Sequence, residues 1–389
     1  MELMPGYKRS DVGVIPEDWD VGAIGDAFEI RNQLRQPISQ SVRERMVGPY
    51  PYYGPTSVQG WINEYRIEGE HALIGEDGDH FLKWRDQAMT LLVTGRFNVN
   101  NHAHIVRGTN NLTSWFYWFF ANRDITSYLT RQGAGRYKLT KATLEKLPCA
   151  IPPLDEQRAI AQALSDVDAL LATLDQVIVK KRDLKQAAMQ QLLTGKTRLP
   201  GFSGEWEVKR LGNVLRFQVG FPFSSAFFNE KEKGFRLVKN RDLKTDDQVF
   251  HYSGPYDSAF LVKNGDVLVG MDGDFLPCLW KKGMALLNQR VGRIVPLAGL
   301  NLQFAYYYLL EPLKEIEIAT ASTTVKHLSH GDIEGIERSL PTVPEQTAIA
   351  EVLSRMDAEL ATLEQRRDKT RNLKQAMMQE LLTGKTRLV

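Results

Sequence analysis

One stretch of this chain is written twice. Residues 156–199 recur without a gap as residues 345–388, and 30 of the 44 aligned positions are identical. The offset of 189 residues persists more weakly upstream, where Trp115, Tyr117, Trp118 and Phe119 fall on Phe304, Tyr306, Tyr307 and Tyr308. With small gaps, GEDGD at 75–79 matches GMDGD at 270–274, NNHAHIV at 100–106 matches NQRVGRIV at 288–295, and the surroundings of Trp19 echo those of Trp206. Self-similarity at a fixed period decides the architecture before any local propensity is weighed. The chain is two copies of one unit, each a variable globular domain (residues 1–150 and 200–339) followed by a near-invariant tail (151–199 and 340–389). Like tails with unlike domains suit identical scaffolding under two different recognition surfaces; a late duplication of the tails alone is the plainer alternative.

The tails read as helices. Ile160, Leu164, Val167, Leu171, Leu174 and Ile178 follow the alternating four-three spacing of a coiled-coil seam, as do Ile349, Leu353, Met356, Leu360 and Leu363. Pro152 and Pro153, and Pro341 and Pro344, stop any helix arriving from upstream, and Gly195 and Gly384 terminate the tails. A helix from about Pro153 to Leu193 is roughly 60 Å long and, with one apolar seam, needs a partner. Its own copy is the obvious one, packed antiparallel. Arg367 stands where the first copy has Ile178, and the heptads break near Leu184 and Leu373, so the far end of the seam is expected to lie under another protein. The Gly195-Lys196-Thr197 run lacks the upstream glycine of a phosphate loop and reads as a helix end.

The domains mix short β-type runs (HALIG, AMTLLVTG, AHIVRG; DVLVG, ALLNQ, GRIVP) with one aromatic helix each, around residues 112–122 and 304–310. That mixture predicts an α+β fold: two domains joined by two long antiparallel helices forming a coiled coil, with a pseudo-two-fold internal repeat. At 389 residues, 43% apolar and 25% charged, the chain has the composition of an ordinary globular protein, and no run approaches the roughly 18 apolar residues of a membrane span. The start of the chain lacks a signal-peptide core, and Cys149 and Cys278 lack metal-ligand spacing, so a cytoplasmic protein without a membrane partner is expected. Lys plus Arg is 49 against 47 for Asp plus Glu, and each domain carries 17 of either sign. Nucleic-acid binding would therefore rest on local patches and the help of a more basic partner.

No catalytic constellation is visible. Asp77, Asp79, Asp272 and Asp274 sit in Asp-Gly-Asp turns that type I′ geometry explains as well as a metal does, which leaves a stand-alone metal-dependent nuclease as an alternative and a purely structural coiled-coil adaptor as another. His102 and His104 would share a strand face, but no carboxylate or cysteine accompanies them in sequence. What remains are polar, basic and aromatic loops suited to phosphates and base edges. In domain one these are Tyr52, Tyr53, Lys83, Arg85, Arg96, Asn98, Asn100, Asn101, His102, Arg131, Arg136 and Lys138. In domain two they are Arg216, Lys239, Asn240, Arg241, Lys281, Lys282, Asn288, Gln289, Arg290, Thr324, Lys326 and His327. Trp84, Trp115, Trp118 and Tyr306 to Tyr308 read as core rather than as stacking platforms.

Ile-Pro-Pro-Leu-Asp-Glu-Gln-Arg-Ala-Ile (151–160), its partial copy at 340–346, the repeated Leu-Leu-Thr-Gly-Lys-Thr-Arg-Leu ends, Ile-Pro-Glu-Asp-Trp (15–19) and Leu-Pro-Gly-Phe-Ser-Gly-Glu-Trp (199–206) together resemble the DNA-specificity subunit of type I restriction-modification systems. The resemblance spans essentially the whole chain, while the domains match the family's target-recognition domains only in outline. It implies a non-catalytic subunit that binds a two-part asymmetric site in double-stranded DNA, one half per domain. It also implies two modification subunits using S-adenosylmethionine and two motor-nuclease (restriction) subunits using ATP and magnesium, with no cofactor bound by this chain.

Overall fold

A computed structural model describes residues 5–132, 136–320 and 327–388. The chain divides into two compact units, Met1–Asp175 with Gln365–Val389, and Gln176–Glu364. Among the described residues no helix is long and apolar enough to cross a membrane.

In the first unit the strands of the two larger sheets are β1 (Phe28–Ile30), β2 (Val47–Tyr53), β3 (Val58–Ile62), β4 (Ile67–Glu68), β5 (His71–Gly75), β6 (Thr90–Val93), β7 (Arg96–Val99) and β8 (Ala103–Gly108). They form two four-stranded sheets, ordered β1-β8-β5-β6 and β3-β2-β7-β4. Every residue of β5 is buried, so this strand reads as an apolar run rather than an alternating one. Helix α1 (Thr113–Ala121) is apolar on all sides, as a helix enclosed by its domain must be, and Trp115, Phe116, Trp118 and Phe119 lie in the core. The long helix α2 (Leu154–Leu192) begins in this unit.

The second unit repeats the plan. The strands of its two larger sheets are β9 (Leu215–Val219), β10 (Phe228–Asn229), β11 (Phe235–Val238), β12 (Phe250–Tyr252), β13 (Leu261–Val262), β14 (Val267–Gly270), β15 (Pro277–Leu279), β16 (Ala285–Leu287) and β17 (Val291–Pro296). The sheet β9-β17-β14-β15 has the connectivity of β1-β8-β5-β6. The second sheet, β10-β12-β11-β16-β13, holds the parallel pair β11–β16, which answers the parallel pair β2–β7. Helix α3 (Leu302–Tyr308) stands where α1 does, and α4 (Val343–Leu381) is the second long helix. The expected strands and aromatic helices are present, with ends moved by at most two residues.

Within each unit, stretches of α2 and α4 run antiparallel. In the first, Lys374 reaches Asp168 at 2.5 Å and Arg367 approaches Asp175 at 3.9 Å. In the second, Lys181 meets Glu359 at 2.6 Å, Lys185 pairs with Asp357 and Arg182 with Glu364. As one number rises, its partner's falls. Ile160, Leu164, Leu174, Ile178, Ile349, Leu353 and Leu360 are buried, and Val167, Leu171, Met356 and Leu363 are half-buried. The expected break in the heptad does not occur. Leu184 and Leu373 are exposed, but the spacing continues through half-buried Lys181, Lys185 and Ala188 to Leu192, and through Arg367, Thr370, Lys374 and Met377 to Leu381. Long aliphatic stems can fill seam positions while their ammonium ends find carboxylates, which an apolar pattern search does not see.

The start of each long helix is locked by a buried carboxylate. Glu156 is 0% exposed and receives Arg387 Nε at 2.5 Å, Arg387 Nη2 at 2.7 Å and the Trp19 indole Nε1–H at 2.8 Å. Glu345, 1% exposed, receives Arg198 Nε at 2.5 Å, Arg198 Nη2 at 2.6 Å and Trp206 Nε1 at 3.3 Å. Arg387 also grips Asp18, at 3.0 and 2.8 Å, and holds that carboxyl below its usual range chiefly through this hydrogen bond. The neighbouring glutamines dock the domain helix: Gln157 Oε1 accepts the Leu112 N–H at the start of α1 (3.0 Å), and Gln346 Oε1 accepts the Asn301 N–H at the start of α3 (2.8 Å). Gly384, at φ +67°, has no room for a side chain, since a Cβ would sit 2.5 Å from Pro16.

Removing one partner of a buried ion pair strands the other charge. Arg387→Ala is expected to lower the unfolding free energy by about 2–4 kcal/mol, less than a fully buried pair would lose because the arginine is partly solvated. Urea denaturation measures this, and adding Glu156→Gln should restore part of the loss.

Candidate functional site

Three segments of domain one meet where β5 ends and β8 begins. Gly75 is in register with Ala103, the Glu76 N–H donates to the His102 carbonyl at 2.8 Å, and the Leu139 N–H donates to the Glu76 carbonyl at 2.7 Å. Asp77 forms a backbone bridge to Lys138. This gathers the Asp-Gly-Asp loop, Asn101 and His102, and Arg136 to Lys138 into one surface. His102 Nδ1 lies 2.9 Å from Asp77 Oδ2, and Arg131 lies over the Tyr137 ring at 4.8 Å.

Beneath that surface is a polar network that sequence reasoning missed. Glu76 takes Arg35 at 2.7 Å and Lys138 at 3.5 Å. His104, fully buried, donates from Nε2 to the Leu139 carbonyl at 2.7 Å, while its Nδ1 accepts from Arg35 at 2.7 Å and Asn32 at 2.9 Å. Those roles require the neutral Nε2–H tautomer. Burial, aided by Arg35 and Lys138, pushes the His104 pKa down to about 4. His102 and His104 therefore share no partner: one is an exposed loop residue, the other a structural core histidine. A His-x-His pair announces a strand but not the loop arginine that will meet it.

Domain two builds the equivalent surface. Gly270 is in register with Val291, the Met271 N–H donates to the Arg290 carbonyl at 3.0 Å, Leu328 N–H donates to the Met271 carbonyl at 2.8 Å, and Asp272 bridges His327. Asp272 accepts Arg290 Nη1 at 2.6 Å and lies 3.0 Å from His327 Nδ1. Burial acts to raise this carboxyl, but the hydrogen bonds from His327 and Arg290 outweigh it and leave it lowered. Asn240 donates to the Asp272 carbonyl at 2.6 Å, and Lys244 pairs with Asp274. A cleft of about 1020 Å³ opens beside them, lined among others by Asn240, Arg241, Lys244, Lys281 and Tyr306.

Several expected contact residues are framework instead. Tyr52 is buried, donating to the Gln36 carbonyl and accepting the Ile38 N–H, both at 2.9 Å. Asn98, Asn100 and Asn288 are buried; Asn98 donates to the Glu64 carbonyl at 2.6 Å and Asn100 to Gln59 at 3.0 Å. Asn98 lies within β7, and Asn100 and Asn288 just follow strands, where a lone polar residue looks the same in sequence whether it faces out or satisfies a loop. Tyr53 is half-buried, edge-on to Phe97 at 5.8 Å. Arg96 is exposed but pairs with Glu68 and covers Tyr65. Arg85 lies over Trp84 and lines a groove with Phe119 and Arg371, apart from the loop cluster, and Lys83 is exposed. Lys239 sits 3.6 Å above the Phe250 ring, its pKa lowered first by burial. Lys282 is held by the Asp242 carbonyl and Asp246, whereas Arg216, Arg241 and Gln289 are exposed. Thr324 and Lys326 lie outside the described residues.

The carboxylates of the Asp-Gly-Asp loops depart from expectation too. Gly78 and Gly273 have positive φ but the flanking aspartates do not, so the turns are not type I′. Asp77 is engaged by His102, Asp272 by Arg290 and His327, and Asp274 by Lys244, and among the described residues no group of three or more His, Cys, Asp or Glu could hold a metal ion.

Comparison with known proteins bears on this arrangement. The family described as type I restriction modification DNA specificity domain matches the chain twice, at residues 16–180 and 203–370. The putative type I restriction enzyme MjaX specificity subunit of Methanocaldococcus jannaschii is 24% identical across 98% of this chain and 97% of its own length. The MjaVIII specificity subunit of the same organism is 25% identical across 96% and 94%. The EcoBI specificity subunit of Escherichia coli reaches 35% over 46% of this chain and 39% of its own. The crystal structure of a type I restriction-modification S subunit from M. genitalium has the same fold, with a TM-score of 0.65 at 14% identity over 97% of this chain and 99% of that one.

His104 supplies a pH test. Its folded pKa is below the unfolded value, so the unfolded chain binds the extra proton between about pH 6.5 and 4, and stability falls as pH drops through that window. The full loss by pH 4 is on the order of 3 kcal/mol. Urea midpoints of the unsubstituted protein measured from pH 7 to 4 should fall more steeply than those of His104→Asn.

Proposed function

Because the chain belongs to the type I restriction-modification DNA specificity family, and its part is recognition of DNA sequence rather than catalysis, we propose that each variable domain reads one half of a two-part, asymmetric DNA site. The observation that carries this reading is the pairing of equivalent helix locks, Glu156 with Arg387 and Glu345 with Arg198, with two unlike loop clusters built on the same strand plan. Equivalent mounting holds two readers; unlike loops make their half-sites differ. Of the expected contacts, Asn101, His102, Arg131, Arg136 and Lys138 in domain one, and Asn240, Arg241, Lys281, Gln289, Arg290 and His327 in domain two, are the ones best placed to touch DNA. Arginine and asparagine supply bidentate contacts to guanine and adenine, while lysine holds phosphate.

On the same reading α2 and α4 form a coiled-coil ruler with pseudo-two-fold symmetry that sets the unread gap. The duplicated tails each receive one modification subunit and one restriction subunit in a cytoplasmic complex. S-adenosylmethionine, ATP and magnesium then act on those partners. Exposed Leu184 and Leu373, equivalent on the two helices, suit a pair of identical partners.

Purified with its modification subunit, the chain is expected to direct methylation to a single split motif, read by methylation sequencing; a continuous motif, or none, overturns the proposal. Exchanging residues 200–339 for another member's should alter one half-site only. Inserting one heptad into each long helix at the same level keeps the seam in register and adds roughly 10 Å. The gap should then widen by about three base pairs, at roughly 3.4 Å each, with both half-sites unchanged.

A further inference from the structure

We infer that Asp77 and Asp272 are positioning residues that aim His102 and Arg290 at base edges, so that one equivalent position in each domain selects a base of its half-site. The inference rests on the two-domain reading above and deepens it. The equivalence follows from strand register: Gly75 faces Ala103 and Gly270 faces Val291, each carboxylate lies two residues beyond its glycine, and His102 and Arg290 each immediately precede the facing strand residue. The same backbone bond closes both corners, Glu76 N–H to the His102 carbonyl and Met271 N–H to the Arg290 carbonyl. The strands beneath are buried, so the corner is mounted on the packed interior of each domain.

The side chains complete the device. Asp77 is 33% exposed and Asp272 28%, while His102 and Arg290 are 49% and 58% exposed, which places the carboxylate behind and the reading group in front. Both oxygens of Asp272 are occupied, one by Arg290 and the other by His327, so the carboxylate has little freedom to turn. An arginine that gives Nη1 to a fixed carboxylate keeps the remaining edge of its fork for the O6 and N7 of guanine. An imidazole whose Nδ1 is held by Asp77 keeps only Nε2, a single bond of lower discrimination. Position for position the corners are alike, and the difference between guanidinium and imidazole makes the two readings unequal.

The test uses the assembled complex with its modification subunits, comparing methylation rates on DNA libraries randomised across the site. Arg290→Ala and Arg290→Lys should each lose roughly 5- to 150-fold discrimination for guanine at one position of the half-site read by domain two, the worth of one bidentate contact. Asp272→Asn should relax the same position by a smaller factor, and the other half-site and the urea midpoint should not move. Arg290→Lys keeps the charge, so loss of base choice with retained non-specific affinity separates aiming from mere attraction. Unaltered preference at every position in these variants, or an equal loss across both half-sites, overturns the inference while leaving the split-site reading intact. A failure of that reading would show instead in the unsubstituted complex, as the absence of a split motif.

Discussion

A carboxylate buried at the start of each long helix governs the arrangement of everything attached to it. An ionised group removed from water must be compensated in full or it destabilises the fold by several kcal/mol. Glu156 and Glu345 meet that demand with a bidentate arginine and an indole N–H. The arginine in each case comes from the end of the opposite tail: Arg387 closes on Glu156, and Arg198 closes on Glu345. A change in the first residues of either tail unsettles the end of the other, and a change in its last residues unsettles the other's start. That reciprocity is a physical reason for two segments of one chain to stay alike while the domains they carry drift apart.

The seam between the locks is specified by charge as much as by burial. A continuous leucine seam would tolerate sliding by a heptad, but Lys374 on Asp168 and Lys185 on Asp357 sit at seam positions, and each must find its own carboxylate. Tyr307 also donates to Asp357, and the Lys185 and Lys374 ammonium groups approach the faces of Tyr307 and Trp118, so each pair is tied to the domain helix beside it. Polar groups at seam positions trade stability for a defined register.

Much of this was legible in the residues. The duplication, the long helices, the seam leucines and the short strands all follow from periodicity, because burial on one face leaves a mark at every turn of a helix. The continuation of the seam past Ile178 was hidden, since Lys181 and Lys185 look like surface lysines until a carboxylate stands opposite. The loops were legible as loops, but not the orientation of their side chains. Asn98 and Asn100 carry the same letters as a base-reading asparagine and are spent on Glu64 and Gln59, while Arg35, which lies in a polar stretch with no periodicity, turns out to organise the whole corner. Contacts of high sequence separation between single polar groups leave no pattern for one sequence to reveal.

The divergence of the domains can be followed at one position. Where domain one has His104, buried and tied to Arg35, Asn32 and Leu139, the matching residue of domain two is Gly292. Gly292 lies so close to the Phe217 ring that any Cβ would fall 2.0 Å from its Cζ. The same site in the same strand is thus filled by a polar network in one copy and by an aromatic ring in the other. The two copies fill the interior differently, one by hydrogen-bonding both nitrogens of His104 and the other by placing no polar side chain there. They differ in what they attach to the corner above: the network binds the Asp-Gly-Asp loop to residues 32–35 and 138–139, whereas the ring leaves domain two to anchor its corner from Asn240 and His327. Supports drawn from different segments let the loops of each copy vary independently while the strands that carry them keep one plan.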